Sequence, residues 1–92
     1  MYIPKLTSID NALKIYYNNA EIGNKEIKDL FGKLSTSTVS RLKKAVKDKM
    51  NDAGIYSYGM YKINTRIAFD VWGIDALDLE KRWKKLSELK LA

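Results

Sequence analysis

Hydroxyl and cationic side chains are concentrated in residues 33–47, the part of the chain best suited to bind a polyanion. Hydroxyl groups bind phosphate oxygens or base edges, arginine forms paired hydrogen bonds with guanine, and lysine ammonium groups neutralise phosphates. From Lys33 to Lys49, six cations stand against one acid, Asp48, so this segment carries +5 of the chain's net charge of +6. The residues that we expect to contact a nucleic acid are Lys33, Ser35, Thr36, Ser37, Thr38, Ser40, Arg41, Lys43, Lys44 and Lys47.

The composition argues against catalysis and metal binding. The chain has no cysteine and no histidine, which removes disulfides, thiolate nucleophiles, imidazole acid–base chemistry and the usual zinc sites. The sequence has no glycine-rich phosphate loop and no nucleophile–base pair, so we expect neither an enzyme nor a cofactor.

Length and hydropathy indicate a single domain away from the membrane. The 92 residues suffice for one domain, with a core over about residues 7–54 and a helical extension over about residues 64–90. No segment approaches the roughly 20 apolar residues of a membrane span, and the N-terminus lacks the features of a signal peptide. We therefore expect a cytoplasmic protein, and a pI near 9.5 favours a polyanionic partner.

The first half of the chain predicts two short helices. Thr7 or Ser8 can cap a first helix that runs to about Asn18. Asn24 is a suitable N-cap for a second helix, and Gly32 stands where a helix ends with a residue of positive φ.

A third, longer helix is predicted over residues 37–53. Any hydroxyl residue of the run 35–38 can cap it, and we take Ser37 as the cap. Its apolar residues recur at helical spacing on one side, at Val39, Leu42, Val46 and Met50. Its arginine and most of its lysines then lie on the opposite side. For a generic lysine-rich helix, this would be no more than a solvated face.

Residues 55–63 are rich in tyrosine and allow two interpretations. Gly59-Met60 can form the turn of a short β-hairpin, or the segment can be an extended, packed loop. Tyr58, Tyr61 and Lys62 can form a wing that contacts DNA. Alternatively the tyrosines, Tyr56 included, can pack over the C-terminal helices. We favour packing.

Two further helices are predicted at the C-terminus. Asn64 or Thr65 can cap the fourth helix, and Asp75 can cap the fifth. The fifth helix carries Leu79 and Leu86 one heptad apart. This apolar side either docks onto the core or forms a homodimer seam that places two DNA-reading helices about one DNA turn apart.

The pattern EIKDLFG…STVSRLKK resembles the helix-turn-helix of bacterial DNA-binding proteins of the homeodomain-like and winged-helix kinds, in which segments such as EIAxxLGxxxSTVxRxLK recur. The matching positions are Ile27, Phe31, Gly32, Val39 and Leu42. Lys28 stands where that family usually has alanine, and the turn is one residue longer than its commonest spacing. The resemblance covers about thirty residues and identifies no subfamily.

Together these patterns predict a mainly α fold, with a helix-turn-helix three-helix core, a short hairpin wing as one alternative, and two C-terminal helices. The predicted function is sequence-specific binding of double-stranded DNA, as a small bacterial or phage transcription regulator or recombination accessory factor. Helix 37–53 would read the major groove. The alternative is a protein–protein adaptor that uses the Tyr/Trp surface of residues 55–86, and a third interpretation is RNA binding through stacked tyrosines.

Overall fold

The computed structural model describes residues 2–91, with the side chains of residues 2–89. The described chain is mainly helical and has two helices at its C-terminal end, as predicted. In chain order the elements are α1 (Ile9–Asn18), β1 (Glu21–Ile22), α2 (Asn24–Phe31), α3 (Thr36–Ala53), β2 (Ile63–Asn64), α4 (Thr65–Val71) and α5 (Ala76–Leu91). Within residues 2–91, no helix is both long enough and apolar enough to cross a membrane.

Side-chain caps begin several helices close to where the sequence predicts them. Ser8 and Asn64 each accept a hydrogen bond from the backbone N–H three residues further on, at 2.9 and 3.0 Å. Asp75 accepts from two N–H groups in the first turn of α5. These bonds satisfy donors that a helix N-terminus leaves unpaired.

α3 begins one residue earlier than predicted, because Ser35 and not Ser37 is its cap. The Ser35 hydroxyl accepts from the Thr38 N–H at 3.2 Å, and the Ser35 backbone is extended, as an N-cap requires. Gly32 ends α2 with φ at 85°, so three residues suffice to reach the first turn of α3. Ser37 therefore lies inside the helix, and its assignment as the cap was wrong.

The small sheet joins segments from either side of α2 and α3. β1 and β2 are antiparallel, with Glu21 opposite Asn64 and Ile22 opposite Ile63. Both isoleucines are fully buried, so the sheet has one face in the core. The hairpin alternative is wrong, because β2 pairs with β1 and not with residues 55–58.

The hydrogen bonds of the 55–62 segment explain why no hairpin forms there. The Lys62 N–H donates to the Gly59 carbonyl at 3.2 Å, which closes a turn centred on Met60 and Tyr61. Tyr61 has φ at 64°, a left-handed conformation that interrupts an extended strand.

The N-terminal segment covers the carbonyl end of α2. The Thr7 N–H donates to the Leu30 carbonyl at 2.8 Å, and the Thr7 hydroxyl donates to the Asp29 carbonyl at 2.9 Å. The Asn11 amide also donates to the Asp29 carbonyl, at 2.8 Å. These bonds fix α1 against α2, because they use carbonyls that α2 cannot pair internally.

Trp72 connects α4 to the centre of the core. Its ring meets the Phe31 ring edge to face, with centroids 5.5 Å apart, and its indole N–H donates to the Leu42 carbonyl at 3.2 Å. Trp72 is buried, so burial of a large aromatic surface and a satisfied polar group act together here. α4 is thereby held against both α2 and α3.

α5 packs along α1 through its first half. Leu79 is buried, and the Tyr17 hydroxyl of α1 donates to the Glu80 carboxylate, a bond that raises the pKa of Tyr17. Leu86 and Leu89 in the second half are exposed. The docking interpretation thus holds for the first half of α5, and self-association stays a prediction for the second.

The Thr65 side chain gives a direct test of the core. Thr65 is only 2% exposed, and its hydroxyl has no hydrogen-bond partner among the described residues. We expect Thr65→Val to raise the free energy of unfolding by about 1 kcal/mol, because it replaces an unpaired buried hydroxyl with a methyl of the same shape. Chemical denaturation measures the change. Thr65→Ser, which keeps the hydroxyl and loses the methyl, should destabilise the fold. Destabilisation by the valine variant would show that the hydroxyl is satisfied.

Candidate nucleic-acid interface

The two sides of α3 have opposite character. The apolar residues Val39, Leu42, Val46 and Met50 are buried in the core. Because helical periodicity separates the two sides, the polar residues of the opposite side face solvent. These exposed residues are Thr36, Ser37, Ser40, Arg41, Lys44, Lys47, Asp48 and Asn51.

The exposed side of α3 is positively charged over its N-terminal two-thirds. No acidic residue occurs between Leu30 and Lys47. Lys33, in the turn before α3, is exposed as well. The first acid along α3, Asp48, forms an ion pair with Lys44 at 3.5 Å in which both side chains are largely exposed. Such exposed pairs contribute little energy, so Lys44 can exchange Asp48 for a phosphate.

The hydroxyl residues at the start of α3 divide into two kinds. The Ser35 oxygen lies 2.8 Å from the Thr38 hydroxyl and 3.2 Å from that of Ser37, and it also caps the helix. Ser35 and Thr38 are therefore engaged with each other. Thr36 and Ser40 face solvent and present their hydroxyls outward.

Arg41 lies beside the N-terminal segment of the chain. A cavity of about 350 Å³ at this end of α3 is lined in part by Tyr2, Lys33, Ser35, Thr38 and Arg41. Two predicted cations and two predicted hydroxyl residues are thus brought together. Tyr2 was not predicted to belong here, because nothing in the spacing of the sequence relates residue 2 to residue 41.

Lys43 does not belong to the exposed surface. It is buried, and its ammonium donates to the Asn24 side-chain oxygen at 3.1 Å and to the Tyr61 carbonyl. Burial lowers the pKa of Lys43, and the neighbouring Lys47 lowers it further. The prediction that Lys43 contacts phosphate does not fit this geometry, because its position on α3 faces α2 and the 55–62 segment.

Residues 55–62, hereafter the tyrosine loop, are held by several hydrogen bonds. The Glu21 carboxylate accepts from the N–H groups of Tyr58 and Gly59 at 2.7 and 2.8 Å. The Ser57 hydroxyl donates to the Lys62 carbonyl at 2.6 Å. The loop therefore has a defined backbone although it contains no strand.

The tyrosines of this loop point into solvent. Tyr56, Tyr58 and Tyr61 are 79%, 100% and 74% exposed. The interpretation that they pack over the C-terminal helices is wrong, because side chains packed there would be covered and these three are largely exposed. Lys62, the cationic member of the predicted wing, is exposed too.

Carboxylates act as structural groups in this region. Glu21 accepts hydrogen bonds from the N–H groups of Tyr58 and Gly59. The sequence does not predict this role, because these partners lie 37 and 38 positions after Glu21 and meet it only in the fold. Within the described part of the chain, no cluster of three or more acidic side chains is placed to hold a metal ion.

The chain was compared with protein-family models, with curated proteins and with solved structures. None matches. Any functional assignment therefore depends on the residues of this chain alone.

The position of Lys43 predicts a role in holding the tyrosine loop. We expect Lys43→Met, which keeps the apolar stem and removes the ammonium, to lower the free energy of unfolding by about 1–2 kcal/mol through the lost charged hydrogen bonds. We also expect trypsin to cleave faster after Lys62 in the native state. Lys44→Met is the matched control, because it removes a neighbouring lysine that is exposed. Equal cleavage rates in the two variants would contradict this role.

Proposed function

We propose that this chain binds double-stranded DNA sequence-specifically, with α3 in the major groove. The observation that carries the proposal is the exposed, acid-free surface at the capped end of α3, where Arg41, Lys44 and Lys47 face solvent. The N-terminal part of a recognition helix is the part that meets base edges. A small bacterial or phage regulator of transcription, or an accessory factor in recombination, is the class of protein that fits.

The connection between α2 and α3 supports a helix-turn-helix arrangement. Gly32 has the positive φ that the turn glycine requires, and Ile27, Phe31, Val39 and Leu42 are all buried. Lys28, which departs from the usual alanine, is exposed and so does not obstruct the contact between the helices.

Each exposed side chain has a role that follows from its chemistry. Arg41 has the planar fork that reads guanine, and Ser40 and Lys44 flank it on the same side of the helix. Lys33 and Lys47 are suited to phosphates, because an ammonium on a flexible stem imposes little geometry. Ser37 and Thr36 can bind either a phosphate or a base edge.

The adaptor alternative has less support. It requires one Tyr/Trp surface over residues 55–86, but Trp72 is buried, the exposed tyrosines belong to the tyrosine loop, and the exposed Trp83 lies on α5. An adaptor would show at most weak DNA affinity that disappears near physiological salt.

Selection from a random duplex library, followed by titration of the enriched site at two salt concentrations, tests the proposal. We expect Arg41→Ala to reduce discrimination at particular base pairs by about 1–3 kcal/mol, because a bidentate base contact is lost. Lys47→Ala should weaken binding to all sequences alike and reduce the salt slope by about one. Lys14→Ala on α1, which removes an exposed lysine outside the proposed interface and dimer seam, is the control and should change neither. Unchanged base preference in the Arg41 variant would refute the recognition-helix assignment.

A homodimer through α5 is part of the same proposal. Leu86 and Leu89 lie three residues apart and are both exposed, so they form one apolar side on the second half of the helix. A two-fold dimer at this position would supply a second α3 for the adjacent half-site.

Sedimentation equilibrium tests the dimer. We expect the mass of the wild-type chain to rise with concentration above the monomer's 10.6 kDa. Leu89→Lys should keep it monomeric, because it places a charge within the seam. Leu77→Lys is the matched control: Leu77 is an exposed leucine about two and a half turns from Leu86, on the opposite side of α5. A wild-type chain that stays monomeric at all concentrations would exclude the dimer.

A further inference from the structure

The tyrosine loop leaves several large side chains in solvent. Besides its three exposed tyrosines, Met60 is 80% exposed. A short loop that leaves several large aromatic side chains in solvent is a candidate binding surface. The ligand that this surface would bind can be argued from the geometry and charge of the loop.

The backbone of the loop is organised before any ligand arrives. Glu21 accepts hydrogen bonds from two N–H groups at the tip of the loop. Lys43 donates to the Tyr61 carbonyl, and Ser57 donates to the Lys62 carbonyl. The rings therefore project from a fixed frame, and little conformational entropy is lost when they bind. Tyrosine adds to this, because only two side-chain torsions have to be fixed.

Two cations lie in the loop and just after it. Between Gly54 and Phe69 the chain contains Lys62 and Arg66 and no acid. The nearby Glu21 carboxylate accepts hydrogen bonds from backbone N–H groups of the loop. Exposed aromatic rings interspersed with cations are the combination that binds unpaired nucleotides, because the rings stack on bases and the cations follow the backbone.

The exposure of the loop leaves its rings open for stacking on bases. Tyr58 is 100% exposed, so no part of the protein covers its ring. A flat, isolated ring is suited to stacking on another flat ring. The bond between Lys43 of α3 and Tyr61 also places the loop beside the helix assigned to duplex DNA.

We propose that the tyrosine loop stacks on the unpaired bases of a single strand that continues from the duplex bound by α3. The ligand is therefore a junction between double-stranded and single-stranded DNA. This inference rests on the proposed function, and it adds a second, single-stranded part to the bound DNA.

Five DNA ligands with the same duplex test the inference by fluorescence anisotropy. One is blunt, two carry a short thymidine tail on the 5′ or the 3′ end, and two carry an abasic tail of the same length and charge at the same ends. Stacking predicts that one thymidine-tailed ligand binds roughly 5- to 100-fold more tightly than its abasic counterpart. Equal affinity for the two tails at both ends would overturn the inference.

Loop variants identify the ring responsible. Tyr58→Ala should remove the gain from the tail and leave blunt-duplex affinity unchanged, whereas Tyr58→Phe should keep it because the ring remains. Leu77→Ala, which removes an exposed apolar side chain from the side of α5 opposite Leu86, is the control and should behave as wild type. If Tyr58→Ala weakened blunt and tailed ligands equally, the loop would contact the duplex and the inference would fail.

The two proposals fail in different ways. Wild-type protein that does not bind the blunt duplex, but still prefers the thymidine tail over the abasic tail, would refute the major-groove proposal alone. Blunt-duplex binding without any preference between the tails would refute the stacking inference alone.

Discussion

The arrangement of the candidate interface depends on the hydrogen bonds that the Lys43 ammonium donates. The ammonium joins the start of α2, the middle of α3 and the tyrosine loop, through Asn24 and the Tyr61 carbonyl. A partly buried ammonium is favourable only where its donors are paired, and these two bonds pair it. The apolar side of α3 faces the core, and the Lys43 contacts cover one more position beside it.

The β1–β2 pairing supports the same arrangement at the C-terminal end of the loop. Ile22 and Ile63 bury one face of the sheet, and Glu21, beside Ile22, extends its carboxylate to the loop tip. The loop is thus fixed at its base by strand pairing, at its tip by a carboxylate and at its side by an ammonium. Because these contacts satisfy the polar groups of the backbone, the aromatic side chains do not need to fold back onto the protein to protect it.

Features decided by neighbouring residues were predictable from the sequence, and features decided by distant ones were not. Ser8, Asn64, Asp75 and Gly32 act within one helical turn, so these caps and helix ends followed from residue type. At the other two helices the predicted cap was wrong, because Gly23 precedes α2 in place of Asn24 and Ser35 caps α3 in place of Ser37. The burial of Lys43 was not predictable, because a lysine in a basic helix is expected to be exposed unless its partners, here residues 24 and 61, are known. The hairpin prediction was wrong for a similar reason. The β-propensity of a segment does not reveal that the strand pairing with β2 lies about forty residues earlier.

The loss of Lys43 from the exposed surface limits how strongly α3 alone would hold DNA in the proposed complex. Lys33, Lys44 and Lys47 remain for phosphates, and about three phosphate contacts give a salt slope of roughly −2.7, or about a fortyfold loss between 50 and 200 mM salt. Well-characterised specific binders make about six to ten such contacts. Additional contacts are therefore needed, and the two proposed sources differ physically. A second copy would double the slope, whereas stacking on the tyrosine loop would add affinity that salt hardly screens, so the slope itself distinguishes pairing from stacking.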